Sequence, residues 1–99
     1  MKSVRALPSL ILLLLPIAAG AADISAGKAL HDKQCVACHV RLMGGDGSEI
    51  YTRKERLIKS LQALRQRVAM CASQTNSQWF PEDEDNVAAY LNQRYYKFK

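Results

Sequence analysis

Cys35-Val36-Ala37-Cys38-His39 is the stretch that decides the fold of this 99-residue chain. Two thiols three residues apart lie on one turn of a helix, so both can reach the same side of a flat ring. The adjacent imidazole then points at a metal ion held in the centre of that ring. The motif therefore predicts a helix that carries two covalent attachment points and one metal ligand.

The spacing C-x-x-C-H is the attachment signature of a c-type haem. It predicts thioether bonds from Cys35 and Cys38 to one covalent haem c, with His39 as the proximal iron ligand. A redox dithiol is a weaker interpretation, because thioredoxin-like motifs accompany a βαβ pattern and this chain shows helical periodicity. A structural zinc site is weaker still, since it needs four ligands and only Cys71 and His31 remain outside the motif.

The N-terminal segment carries Lys2 and Arg5, continues with an apolar run over 6–18 and ends in small residues over 19–22. This order predicts a secretory signal peptide, residues 1–22, cleaved near Ala21 or Ala22. An uncleaved anchor is the alternative, disfavoured because the apolar run is short and two prolines interrupt it. We therefore expect an exported, periplasmic protein without stable membrane insertion after cleavage.

The remaining segment, residues 23–99, is long enough for one small domain. Loss of the two basic leader residues lowers the formal net charge from +5 to +3, and the dense basic stripe of a nucleic-acid binder is missing. Domains this short usually need a covalent or metal staple. Three cysteines are an odd number for an oxidising compartment, and a haem that consumes two of them would explain the count and supply the staple.

Hydrophobic periodicity predicts helices around the haem motif. The first is expected to begin near Asp23 or Ser25 and to end at the motif, with Gly27 where another helix approaches closely. A glycine-rich loop over 44–47 follows. The second helix is expected to begin with the capping-box sequence of residues 52–55. Its buried stripe is expected to comprise Leu57, Ile58, Leu61, Leu64 and Val68.

Residues 72–77 are polar and helix-poor, which predicts a loop. Pro81 and the acidic run 82–85 predict the start of a last helix, because proline suits its first turn and carboxylates complement the helix dipole. Tyr90 and Leu91 on this helix are expected to contact Gly27.

With this helix order, residues 23–99 resemble the small monohaem class I c-type cytochromes. The resemblance rests on the motif at 35–39, on Gly27 in the first helix and on Val-Ala-Ala-Tyr-Leu at 87–91. It implies an all-α, cytochrome c-like fold of about three helices wrapped around one covalent haem. It also implies that the N-terminal and C-terminal helices are in contact.

The distal iron ligand must approach from the opposite face of the ring. Met70 lies 31 residues after His39, a placement that resembles the family's distal methionine; a core methionine is the alternative. Cys71 is the rival, as a thiolate ligand, a buried thiol or one half of an intermolecular disulfide. His31 and Met43 are disfavoured as distal ligands. His31 is expected on the same helix as the motif, which cannot reach both faces of the ring. Met43 is only four residues past His39, and a span of at most ~14 Å is too short to pass around the ring.

Four further residues are candidates for contact with the haem. Tyr51, Trp79 and Phe80 are expected to line it or to belong to the ordinary core. Arg53 is expected to pair with a haem propionate or to lie in solvent.

The sequence contains no catalytic constellation, which favours an electron-transfer protein over an enzyme. The expected function is transport of single electrons between transient redox protein partners. One alternative is a ligand-binding or sensing haem protein with a labile sixth ligand. Another is an electron-entry subunit of a larger redox enzyme.

Overall fold

The computed structural model describes residues 21–99, so the expected signal peptide lies almost wholly outside the described residues. The described part of the chain is helical and contains no strand, which confirms the all-α class. Its helices number five rather than about three, and none of those within residues 21–99 is both long and apolar enough to cross a membrane. The elements are α1 (Ile24–Gln34), α2 (Val36–Met43), α3 (Glu49–Thr52), α4 (Leu61–Gln74), α5 (Pro81–Leu91) and a π-helical segment (Asn92–Tyr96).

Helix α1 begins where the sequence predicts. The Asp23 side chain accepts a hydrogen bond from the backbone N–H of Ala26 at 3.0 Å, which satisfies one amide of the first turn. The helix ends at Cys35, which caps α1 at its C-terminus and precedes α2. The C-x-x-C-H motif therefore spans the junction of two helices, with Cys38 and His39 in the first turn of α2.

The first and last long helices cross at Gly27. A Cβ at this position would overlap the backbone carbonyl of Asn86, so the two backbones can meet only because residue 27 has no side chain. The close approach is confirmed, but its partners are Asn86 and Val87 rather than Tyr90 and Leu91. Tyr90 contacts α1 further along, at His31.

The expected helix over residues 52–60 does not form. Thr52 is the last residue of α3, and its hydroxyl donates back to the Ser48 carbonyl at 3.5 Å instead of capping a new helix. The cap of α4 is Ser60, whose hydroxyl accepts from the Ala63 N–H at 3.1 Å. Tertiary contacts explain the difference, because Ile58 enters the core while the neighbouring Leu57 is 69% exposed.

Helices α4 and α5 enclose the core. Leu64 and Val68 are buried as the stripe predicts, but α4 continues to Gln74, so only the second half of the expected loop over 72–77 is non-helical. Pro81 opens α5, and the Asp83 carboxylate accepts from the Phe80 N–H at 2.9 Å. The predicted start of the last helix is thus confirmed.

Candidate haem site

A cavity of about 320 Å³ opens between α2, α3, α4 and α5. Its wall includes Cys35, Cys38 and His39 from the motif and Cys71 from α4. The rest of the wall is mainly apolar and includes Leu64, Val68, Trp79, Val87, Leu91 and Tyr96. The fold therefore places the motif at a largely apolar surface, where a flat hydrophobic ring would be stabilised by burial.

The three cysteines are free thiols, each partly buried. Burial raises the pKa of the Cys35 thiol to about 11, and the nearby Cys71 thiol adds to the effect. Burial also raises the pKa of Cys71. Both groups are protonated at neutral pH, so neither is an activated thiolate in the unmodified chain.

A chain of hydrogen bonds runs from His39 through Tyr51 to His31 and Asp32. The His39 Nδ1 lies 2.8 Å from the Tyr51 hydroxyl oxygen, which lies 2.9 Å from Nε2 of His31. The His31 Nδ1 lies 3.1 Å from a carboxylate oxygen of Asp32. Lys28 completes the series by donating to the other oxygen of Asp32 at 2.6 Å.

With Asp32 ionised and His31 neutral, one placement of the protons satisfies this hydrogen-bond chain. Hydrogen bonds from Lys28 and His31 lower the pKa of Asp32, so its carboxylate is ionised and accepts from Nδ1 of His31. Burial lowers the pKa of His31, and the neutral ring then accepts the Tyr51 hydroxyl proton at Nε2. The Tyr51 oxygen accepts from Nδ1–H of His39, which leaves the Nε2 lone pair of His39 for a metal ion.

The loop over residues 44–47 packs on the other side of His39. Gly47 has a φ of +83°, and a Cβ there would lie 3.0 Å from the Cβ of His39. A side chain at this position would therefore push the loop off the histidine. The glycine cluster predicted as a loop is confirmed, and its role is a tight return against the candidate ligand.

Arg53 carries a polar atom without a partner. Its Nε is buried and makes no hydrogen bond within the part of the chain that the structure describes. Arg53 and Arg67 both lie in the cavity wall. An unsatisfied buried guanidinium nitrogen is costly, and a carboxylate on a molecule in the cavity would satisfy it. The residues present therefore fit a haem, whose ring is apolar and whose two propionates are anionic.

The two candidates for the distal ligand are placed differently. Cys71 lies in the cavity wall, whereas Met70 is 42% exposed and is not part of that wall. On α4, Arg67, Val68, Cys71 and Ala72 line the cavity, and Met70 lies off that face of the helix. The structure thus brings Cys71 together with Cys35, Cys38 and His39, and leaves Met70 outside.

The aromatic residues that the sequence predicts near the haem also divide between the cavity wall and the surface. Tyr51 and Trp79 lie in the cavity wall, while Phe80 is 75% exposed and lies outside it. The sequence leaves His31 as either a packed or a surface histidine, and the structure shows it buried and linked to His39 through Tyr51, a link that the sequence does not predict. The spacing of His31, Cys35 and His39, four residues apart, was the available signal, because such residues share one helix face.

No family model matches the chain, and no curated protein or solved structure is significantly similar to it. Among residues 21–99, no three His, Cys, Asp or Glu side chains are grouped so that they could hold a metal ion by themselves. The candidate site is therefore defined by the chain's own residues alone, and His39 is its candidate histidine ligand.

Proposed function

We propose that this protein is a monohaem c-type cytochrome with a cytochrome c-like fold, in which Cys35 and Cys38 bind one haem c covalently. His39 is the proximal iron ligand. The observation that carries the proposal is that both motif thiols and a histidine with an uncommitted Nε2 line one apolar cavity. An exported, periplasmic location follows from the leader predicted at residues 1–22.

Bound haem supplies a one-electron couple at its iron. The chain's own residues hold and insulate it. Leu64, Val68 and Val87 exclude water from the ring, and Arg53 and Arg67 would pair with its propionates. Leu42 and Leu57 lie at the cavity wall yet are 65% and 69% exposed, so they form an apolar rim for transient contact with a redox partner.

Mass spectrometry of exported protein tests this proposal. The chain is produced with intact cytochrome maturation machinery, and the processed polypeptide is expected to gain the mass of one haem on the peptide containing Cys35 and Cys38. Cys38→Ser should leave at most a single thioether. Cys71→Ser is the matched control and should retain the full mass gain. Colourless material without added mass would overturn the proposal.

A second candidate function is a ligand-binding or sensing haem protein. The specific observation in its favour is the position of Met70, which lies outside the cavity wall. Carbon monoxide separates the two functions, because an iron with both axial positions filled by protein binds it poorly. Rapid binding by the reduced protein would favour sensing, and slow or weak binding would favour electron transport.

A further inference from the structure

We propose that Tyr51 and His31 are positioning residues that orient His39 and lower the reduction potential of the haem iron. This inference rests on the proposed haem function. Its basis is the hydrogen-bond chain from His39 through Tyr51 and His31 to Asp32, which no sequence motif predicts.

The middle of this hydrogen-bond chain is sequestered from water. Tyr51 is 6% exposed and His31 is 4% exposed. Water therefore cannot readily replace the hydrogen bond between His39 and Tyr51 or the one between Tyr51 and His31. The rings are also held by packing, since His31 lies 5.3 Å from Tyr90 and Tyr51 lies 5.0 Å from Tyr95 between ring centroids. A buried network with every member satisfied is rigid, and it therefore determines the orientation of His39.

The outer end of the chain is charged. The Asp32 carboxylate polarises the His31 ring, and the successive hydrogen bonds strengthen one another in a medium of low dielectric constant. The Tyr51 oxygen thereby becomes a better acceptor for Nδ1–H of His39. A stronger acceptor at Nδ1 raises the basicity of the ligating nitrogen. More electron density on His39 favours ferric over ferrous iron, which lowers the potential.

Tyr51→Phe removes the hydroxyl and keeps the ring. We expect the ferric-to-ferrous equilibrium constant to change about tenfold toward ferrous iron, a rise of about 59 mV for a one-electron couple. Tyr96→Phe is the matched control, because Tyr96 is 7% exposed, also lines the cavity and makes no side-chain hydrogen bond within residues 21–99. An equal shift in both variants, or no shift in Tyr51→Phe, would overturn the inference.

The second link is tested at His31. His31→Leu removes the acceptor of the Tyr51 proton, and the potential should rise by less than in Tyr51→Phe. His31→Gln offers an amide oxygen in its place and should restore much of the original value. If leucine and glutamine variants behave alike while folding equally well, His31 merely fills space and the inference is wrong.

Nitrogen-15 NMR of the His39 ring provides a readout that needs no redox activity. With haem attached, Nδ1 of His39 carries the only ring N–H, and in the wild type this proton should exchange slowly with water because Tyr51 accepts it. Exchange should become faster in Tyr51→Phe but not in Tyr96→Phe. Failure of haem attachment, with a slowly exchanging Nδ1–H present in the haem-free chain, would refute the proposed cytochrome and keep the hydrogen bond to Tyr51. Attached haem with an Nδ1–H that exchanges equally fast in the wild type and in Tyr51→Phe would refute the inference alone.

Discussion

Met70 and Cys71 are consecutive residues of α4, yet only Cys71 lines the cavity that contains the haem motif, while Met70 is 42% exposed. In the proposed cytochrome, this pair would decide how the opposite face of the haem is completed. Either α4 would shift to present the methionine, or the iron would meet a thiol or an open position.

Alanine variants of these two neighbours distinguish the cases. If Met70 is the distal ligand, Met70→Ala removes the weak red-end absorption band of sulfur-to-iron ligation in the oxidised protein, and Cys71→Ala keeps it. If the geometry of the structure holds with haem bound, the spectrum instead responds to Cys71→Ala. As a surface change, Met70→Ala should then alter the free energy of unfolding by no more than about 0.5 kcal/mol. A spectrum unchanged in both variants would contradict both ligand assignments.

Gly27→Ala should destabilise the fold strongly. The added Cβ collides with the Asn86 carbonyl, and neither helix backbone can yield without loosening the α1–α5 crossing. We expect a loss of about 2–3 kcal/mol in the free energy of unfolding, measured by urea denaturation. Gly45→Ala serves as the control, because its φ of +58° costs about 1 kcal/mol while its surroundings are open. Equal losses in the two variants would contradict the tight crossing.

Stability should decline as the pH falls below about 6.5, the ordinary pKa of an unfolded histidine. Burial lowers the pKa of His31 in the folded state, so the unfolded chain takes up its proton first. The contribution of neutral His31 to the free energy of unfolding is complete above pH 6.5 and is lost as the pH falls toward the lower pKa of the folded state. The groups facing His31 are Asp32, Tyr51 and Tyr90, with Lys28 beyond Asp32.

Chemical denaturation at pH 7.5 and pH 5 measures this dependence. His31→Gln, which cannot titrate, should have a shallower slope over the same interval than the wild type. Parallel slopes for the two proteins would show that His31 is not the group responsible.

Arg53→Met should have different effects on the stability of the haem-free and the haem-loaded protein. In the haem-free chain the substitution removes a buried nitrogen that has no partner within the described residues, so stability should be unchanged or slightly higher. In the haem-loaded protein it removes a charge-assisted pair with a propionate, a loss of about 1.5–3 kcal/mol. Thermal and urea unfolding of both forms measure the difference. Arg65→Met, an exposed position on α4, is the control and should affect neither form.

Local sequence signals predicted the two ends of the domain well. Asp23 accepts from an amide of the first turn of α1, and Pro81 fixes the backbone of the first turn of α5, so a few neighbouring residues decide their roles. The capping-box sequence at 52–55 was misleading, because Thr52 ends α3 and the cap of α4 is Ser60. Of the two neighbouring apolar residues before that cap, Ile58 is buried and Leu57 is exposed.

The sequence by itself determined the candidate motif at 35–39, the helical class and the need for glycine at position 27, because spacing, periodicity and side-chain size are local properties. Only the tertiary structure decided that Cys71 rather than Met70 lines the cavity and that Tyr51 lies between two histidines. Those contacts join residues 20 and 12 positions apart in the chain. Their geometry depends on how helices pack and on where buried polar groups find partners, which no short stretch of sequence specifies.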